Sequence, residues 1–207
     1  MKTKIFLLMW LVILSISCKK DFTMQSNDNF PNKIGYQWVY KLTTNSIDTV
    51  KVEIVGQGTL PNGASAKIWK YTYKYPFQTY IDTVWVSYIN SDVRIYDNPC
   101  LTCTNQMPFE RLHYILPLSV GKAWFTNAAY GDTTKVLDRE DISVPEGIFT
   151  NVFRLSKVRG YVTNFWTKDT IYFKEQIGLV KLSQNEFNLG PVIGNGIWEL
   201  ISHNFGH

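Results

Sequence analysis

From residue 30 onward, apolar and polar side chains alternate with a period of two over stretch after stretch. Thr49 to Val55 places Val50, Val52 and Ile54 on one face and Thr49, Lys51 and Glu53 on the other, the signature of a half-buried strand. Lys67 to Tyr75 is the most patterned segment: Trp69, Tyr71, Tyr73 and Tyr75 share one face, and Ile68, Lys70, Thr72 and Lys74 the other. Trp38–Leu42, Asp82–Tyr88, Asp92–Tyr96 and Phe109–Ile115 read as further short strands, divided by turn material at Gly56–Gly63 and Asn90–Ser91. Pro61-Asn62-Gly63 suits a type I turn, because proline presets φ at the second position and glycine is favoured at the fourth. No segment carries a helical heptad pattern.

The same pattern occurs twice. FPNKIGYQW at residues 30–38 is answered by LPLSVGKAW at 116–124, and the segments C-terminal to the two copies match in order. Pro145-Glu146-Gly147 answers Pro61-Asn62-Gly63, with Val152-Phe153 placed after it as Ile68-Trp69 is after the first. Asp169-Thr170-Ile171-Tyr172-Phe173 answers Asp82-Thr83-Val84-Trp85-Val86, and Trp198-Glu199-Leu200-Ile201 answers Phe109-Glu110-Arg111-Leu112. The offsets are 86 at the tryptophans (38 to 124), 84 at the prolines (61 to 145) and 87 at the aspartates (82 to 169). Insertions therefore fall between strands, where loops accept them. The expected fold class is all-β and antiparallel: two tandem repeats of about six strands, residues 30–115 and 116–207, forming a sandwich or an open half-barrel.

Composition agrees: aromatic residues make up 15% of the 207 and suit a pleated, half-buried surface. The N-terminus adds a location. Lys2 and Lys4, the apolar run Ile5–Leu14 and the small residues Ser15-Ile16-Ser17 form an export signal over residues 1–17, with an apolar run too short for the roughly 20 residues a membrane span needs. Removing Lys2 and Lys4 takes the formal charge from +4 to +2, too little to predict a nucleic-acid partner, which needs a clustered basic face.

A small residue followed by Cys18 resembles the lipobox of bacterial lipoproteins, which implies that Cys18 is the lipid attachment site and anchors the chain to the bilayer. Ser15 stands where that motif usually has leucine, and Ser15-x-Ser17 also suits an ordinary signal peptidase. Acylation of Cys18 leaves Cys100 and Cys103 as an even pair. Residues 18–29 then form the lipidated N-terminus and a polar tether; its eleven residues from Lys19 onward have a root-mean-square reach of roughly 18 Å. These features predict a cell-envelope location, on the outer membrane.

The repeated FP-x-x-[IV]-G-x-x-W and P-x-G-x-F patterns, the latter seen as Pro145-Glu146-Gly147-Ile148-Phe149, resemble a group of uncharacterised bacterial secreted lipoproteins. The resemblance covers residues 30–203; the first copy departs from it at Ser65, where the second has Phe149. It implies no catalytic residues. A more distant similarity, to the half-barrels that carry or accept lipoproteins, is one of fold alone.

Candidate chemistry is sparse. Cys100-Leu101-Thr102-Cys103 allows a redox pair, half a zinc site or a disulfide. Its Pro- and Asn-flanked loop lacks the helix start that activates redox thiols, and His113, His203 and His207 lack zinc-ligand spacing. A disulfide between Cys100 and Cys103 is therefore the expected state in an oxidising compartment. Asp138-Arg139-Glu140-Asp141 reads as a solvated hairpin tip, since calcium loops alternate oxygen ligands around a glycine. No nucleophile elbow or phosphate loop is present, and no cofactor, metal or catalytic residue is expected. The aromatic face Trp69, Tyr71, Tyr73, Tyr75 is the candidate ligand face, although such a ladder also suits a sheet core whose hydroxyls reach solvent.

These observations leave two functional classes. The first is a non-catalytic, membrane-anchored binding or scaffold module for a glycan, a lipid or an envelope protein. The alternative is an envelope hydrolase whose site assembles from distant loops, with His113 and Asp169 as candidates. An apolar cavity would point to a lipid-like ligand and a flat aromatic face to a glycan or protein.

Overall fold

The computed structural model describes residues 29–43, 48–97, 109–128, 131–162, 165–188 and 196–205. Cys18, the tether up to residue 28, and Cys100 and Cys103 lie outside these residues. Six strands come from the first half of the chain: β1 Gln37–Leu42, β2 Thr49–Thr59, β3 Ser65–Lys74, β4 Thr79–Ile89, β5 Asp92–Asp97 and β6 Phe109–Ile115. Six come from the second: β7 Ala123–Asn127, β8 Asp132–Val144, β9 Gly147–Val162, β10 Phe165–Lys174, β11 Gly178–Asn188 and β12 Gly196–Asn204.

All twelve belong to one antiparallel sheet, ordered from β6 through β1 and then from β12 to β7. Each half is a meander, and β1 joins β12 in the register Trp38↔His203 and Tyr40↔Leu200, with a bulge between Val39 and Tyr40. The edge strands β6 and β7 are consecutive in the chain and lie side by side. The sheet thus curls into a nearly closed barrel, which leaves little free edge for pairing with other chains. The sandwich alternative is set aside: the inner faces are walls of one sheet, and Val84, Val93 and Tyr114 from the first half pack in one cluster with Leu155, Ile171 and Phe173 from the second.

The twice-occurring Gly-x-x-Trp motif builds the same corner in both halves. Gly35 has φ 93° and Gly121 φ 87°, a left-handed conformation that glycine adopts without a Cβ clash. Gly35 N donates to Ile54 O, Tyr36 N to Lys33 O and Ile54 N to Tyr36 O. Gly121 N likewise donates to Val136 O, Lys122 N to Ser119 O and Val136 N to Lys122 O. Each corner delivers its tryptophan, Trp38 or Trp124, into the interior, where both are buried. The Pro61 turn closes as its sequence requires, with Gly63 N donating to Leu60 O at 2.8 Å.

Two local expectations change. Gly56–Gly63 is not all turn: β2 runs on to Thr59, a bulge between Ile54 and Gly56 absorbs the irregularity, and a Cβ added to Gly58 would collide with the Trp85 ring. Gly58 thus serves close packing on the outer face, which local pattern reads as a turn. Asp138–Asp141 is not a hairpin tip but the middle of the 13-residue β8. Its acidic side chains tolerate a strand because Arg154 on β9 pairs with both Asp138 and Glu140 across the outer face. Near the C-terminus, Ser183–Asn188 continue β11 along β10 in pairs such as Thr170↔Ser183 and Phe165↔Asn188.

Candidate functional site

Strand alternation decides what the interior contains. On β3, Trp69, Tyr71 and Tyr73 point inward and, with Tyr75 just beyond the strand, line a cavity of about 340 Å³ between the two halves. Leu179, Leu182 and Trp198 line it from β11 and β12. Its floor is a stack of rings: Trp69 lies 5.2 Å from Trp38 and 5.7 Å from Phe30, and Phe30 lies 6.4 Å from Phe173. These separations fit offset stacking. Hydrogen bonds fix the floor as well: Trp38 Nε1 donates to Ile177 O at 2.7 Å, and Trp69 Nε1 to Asn32 Oδ1 at 3.0 Å.

From Trp69 to Tyr75 is six residues, or about 20 Å of strand, and polarity rises along it. Trp69, Tyr71 and Tyr73 are half-buried and Tyr75 is exposed. Tyr71 and Tyr73, with near-parallel rings 6.3 Å apart, have phenol pKa values raised chiefly by burial. Tyr40 and Tyr114 are raised for the same first reason. All four hydroxyls therefore stay protonated at neutral pH. Tyr40 uses its own on Leu179 O at 2.9 Å.

The upper interior is polar, and the two hydrolase candidates lie there. His113 on β6 lines the cavity and stands edge-on to Tyr114, 4.3 Å between ring centres. Its pKa is lowered well below the ordinary value, first by burial and then by Lys157, Arg111 and Arg159, so the imidazole is neutral. Asp169 on β10 is buried and accepts a bond from Arg159 at 3.2 Å. Burial raises its pKa against the opposing pull of Arg159 and Lys157. His113 and Asp169 both face inward, but no hydrogen bond joins them among the described residues; the aspartate's partner is an arginine. Asp138 and Glu140 pair with Arg154 on the outer face, away from both, while Arg139 lies over the Phe153 ring.

Lys157 and Arg159 did not emerge from the sequence as site residues. The signal was available: carrying the 84-residue offset of the two proline turns along the strands aligns Tyr73 with Lys157 and Tyr75 with Arg159.

No family model and no curated protein matches the chain. Its fold is similar to that of a crystal structure from Parabacteroides distasonis ATCC 8503, provisionally described as a lipoprotein, at 13% sequence identity and a TM-score of 0.51. The match covers 85% of this chain and 98% of that one. At this identity the likeness is one of fold.

Proposed function

We propose that this protein is a lipid-anchored envelope protein that holds a lipid-like ligand inside its barrel and performs no catalysis on it. The observation that carries this reading is the direction of the β3 ladder, whose rings face an interior cavity of about 340 Å³. That volume is within the range of roughly 300 to 1,000 Å³ typical of small-molecule sites. A glycan platform needs open, flat ring faces; here Trp69 is stacked against both Trp38 and Phe30.

Anchoring through Cys18 suits the same reading. Asn29, the first described residue, accepts a bond from Gln176 N in the β10–β11 turn, beside the ring floor and at the opposite end of β3 from Tyr75. A tether from Asn29 back to an acylated Cys18 would set the floor end toward the membrane and the Tyr75 end away from it, and two acyl chains would make the attachment lasting. The outer membrane is the proposed location.

The test is a titration of the purified full chain with 1-dodecanol, followed by the fluorescence of Trp38 and Trp69. A saturable change is expected, and Leu182→Trp, which fills the cavity, should abolish it while the strand signal in circular dichroism persists. Absence of saturable binding up to the solubility limit would overturn the reading.

A further inference from the structure

The two halves place different chemistry at matching inward positions. Trp69, Tyr71, Tyr73 and Tyr75 on and just after β3 correspond to Phe153, Leu155, Lys157 and Arg159 on β9 at the constant offset of 84. In the sheet order β3 and β9 are six strands apart in twelve, so they form opposing walls. One wall is aromatic throughout. The other begins apolar, with Phe153 and Leu155 in the core, and ends in two cations.

Lys157 is the anomaly on that wall. It is 6% exposed, yet among the described residues no hydrogen bond or salt bridge partners its ammonium. Its ammonium borders open space rather than being sealed in, and Asp169 and Asp132 act on it electrostatically without reaching it as ion pairs, so the charge is left without a direct partner at a cost. On the neighbouring positions, Arg159 Nε, Thr167 Oγ1 and Asp169 Oδ1 are buried without a partner. Arg159 is held in place by Asp169 at 3.2 Å, and Arg111 on β6 by Asp97 at 2.7 Å. Asp132 on β8 accepts the backbone N–H of Gly160 and so is engaged on β9 itself. His113, in the cavity wall, has its pKa shifted by three charged neighbours, and all are cations: Lys157, Arg111 and Arg159. Two unmet donors, Arg159 Nε and Thr167 Oγ1, and one unmet carboxylate oxygen, Asp169 Oδ1, thus collect close to His113, which is in the cavity wall.

We infer that the interior takes a single-chain amphiphile, its acyl chain along the aromatic wall and its anionic head group on Lys157, Arg159 and the Thr167 hydroxyl. This rests on the reading of the interior as a lipid-like site and adds the charge and orientation of the ligand. An anion would give the Lys157 ammonium the partner it lacks, and charge-assisted bonds of that kind are about twice as strong as neutral ones.

Calorimetric titration of the purified full chain at pH 7 with dodecanoate, dodecyl phosphate and 1-dodecanol, each below its aggregation limit, tests it. The expected result is at least tenfold tighter binding of an anion than of the alcohol, with the stronger anion identifying carboxylate or phosphate as the head group. Lys157→Met should remove the preference and leave 1-dodecanol affinity within about twofold. Equal binding of all three would overturn the inference and leave the cavity reading standing; binding of none would overturn both. A preference that survives Lys157→Met would overturn the head-group assignment. The wild-type comparison decides even where that variant does not fold, and Lys157→Gln supplies a second one.

Discussion

The two six-stranded halves share a frame and differ in what they put inside it. The corners at Gly35 and Gly121 make the same three backbone bonds, and each half touches the other's turn by one backbone bond, with donor and acceptor exchanged. Gln176 N in the β10–β11 turn donates to Asn29 O ahead of β1, while Leu116 N ahead of β7 donates to Ser91 O in the β4–β5 turn. The side chains have diverged: where the first half lines the cavity with tyrosines such as Tyr71 and Tyr73, the second carries the buried Lys157 and the half-buried Arg159. The tryptophans have diverged too, since Trp38 Nε1 is bonded to Ile177 O whereas Trp124 Nε1 is buried without a partner. Backbone geometry is constrained by the whole ring of strands, but an inward side chain at the polar end of the barrel is not. Frame and lining can therefore change independently.

Breaking the frame should have the largest effect. Trp38→Ala removes a ring stacked between β1 and β3 and a bond to the opposite half, and should lower stability by about 3–5 kcal/mol; denaturant unfolding measures it.

Changing the lining should act in the opposite direction. Burial, reinforced by Arg159 and Arg111 and opposed by Asp169 and Asp132, lowers the Lys157 pKa from 10.5 to about 8, so the folded chain binds fewer protons than the unfolded chain between those values. The penalty is therefore complete below about pH 8 and is relieved as pH rises toward 10.5. Lys157→Met should stabilise the empty protein at pH 7 by roughly 3 kcal/mol, using about 1.4 kcal/mol per pKa unit. The gain should fade above about pH 10, near the ordinary lysine value, as melting curves across pH would show. Tyr73→Met, the matching change in the first half, should give no such gain.

Next in size is Gly58→Ala on the outer face. The added Cβ must displace the Trp85 ring, and overpacking of this kind costs about 1–3 kcal/mol. A melting temperature equal to wild type would show that Trp85 has room to move. The smallest effect separates the two halves most directly: Trp38→Phe should cost about 1 kcal/mol beyond Trp124→Phe, because only the first loses a hydrogen bond and strands Ile177 O. Equal costs would mean that the Trp124 N–H is satisfied in solution.

Much of the frame was legible. Strict alternation in Thr49–Val55 and Lys67–Tyr75 identifies strands because a pleat turns successive side chains to opposite faces, and Gly35 and Gly121 mark corners because few other residues accept their φ. Alternation does not say which face is the inside when both carry polar groups. Val152 to Arg159 contains valine, phenylalanine and leucine on both sides of the pleat along with two arginines and a lysine, so Lys157 reads as an ordinary outward lysine. Asp138–Asp141 misleads for the complementary reason: a polar run looks like a tip until Arg154 on the next strand is found paired with it.

Local sequence was enough to mark the chain as all-β, to place most of its strands and corners, and to reveal one pattern used twice, because local sterics and the burial period within a strand govern these features. Closure of the two halves into one ring through β1 and β12 depends instead on long-range pairing, with partners such as Trp38 and His203 lying 165 residues apart (203 minus 38). Ring closure in turn makes the aromatic ladder a cavity wall and brings buried Lys157, with Arg159, close to His113 in that wall. The chemistry of the interior belongs to the juxtaposition of opposite walls, and no local stretch of sequence contains both.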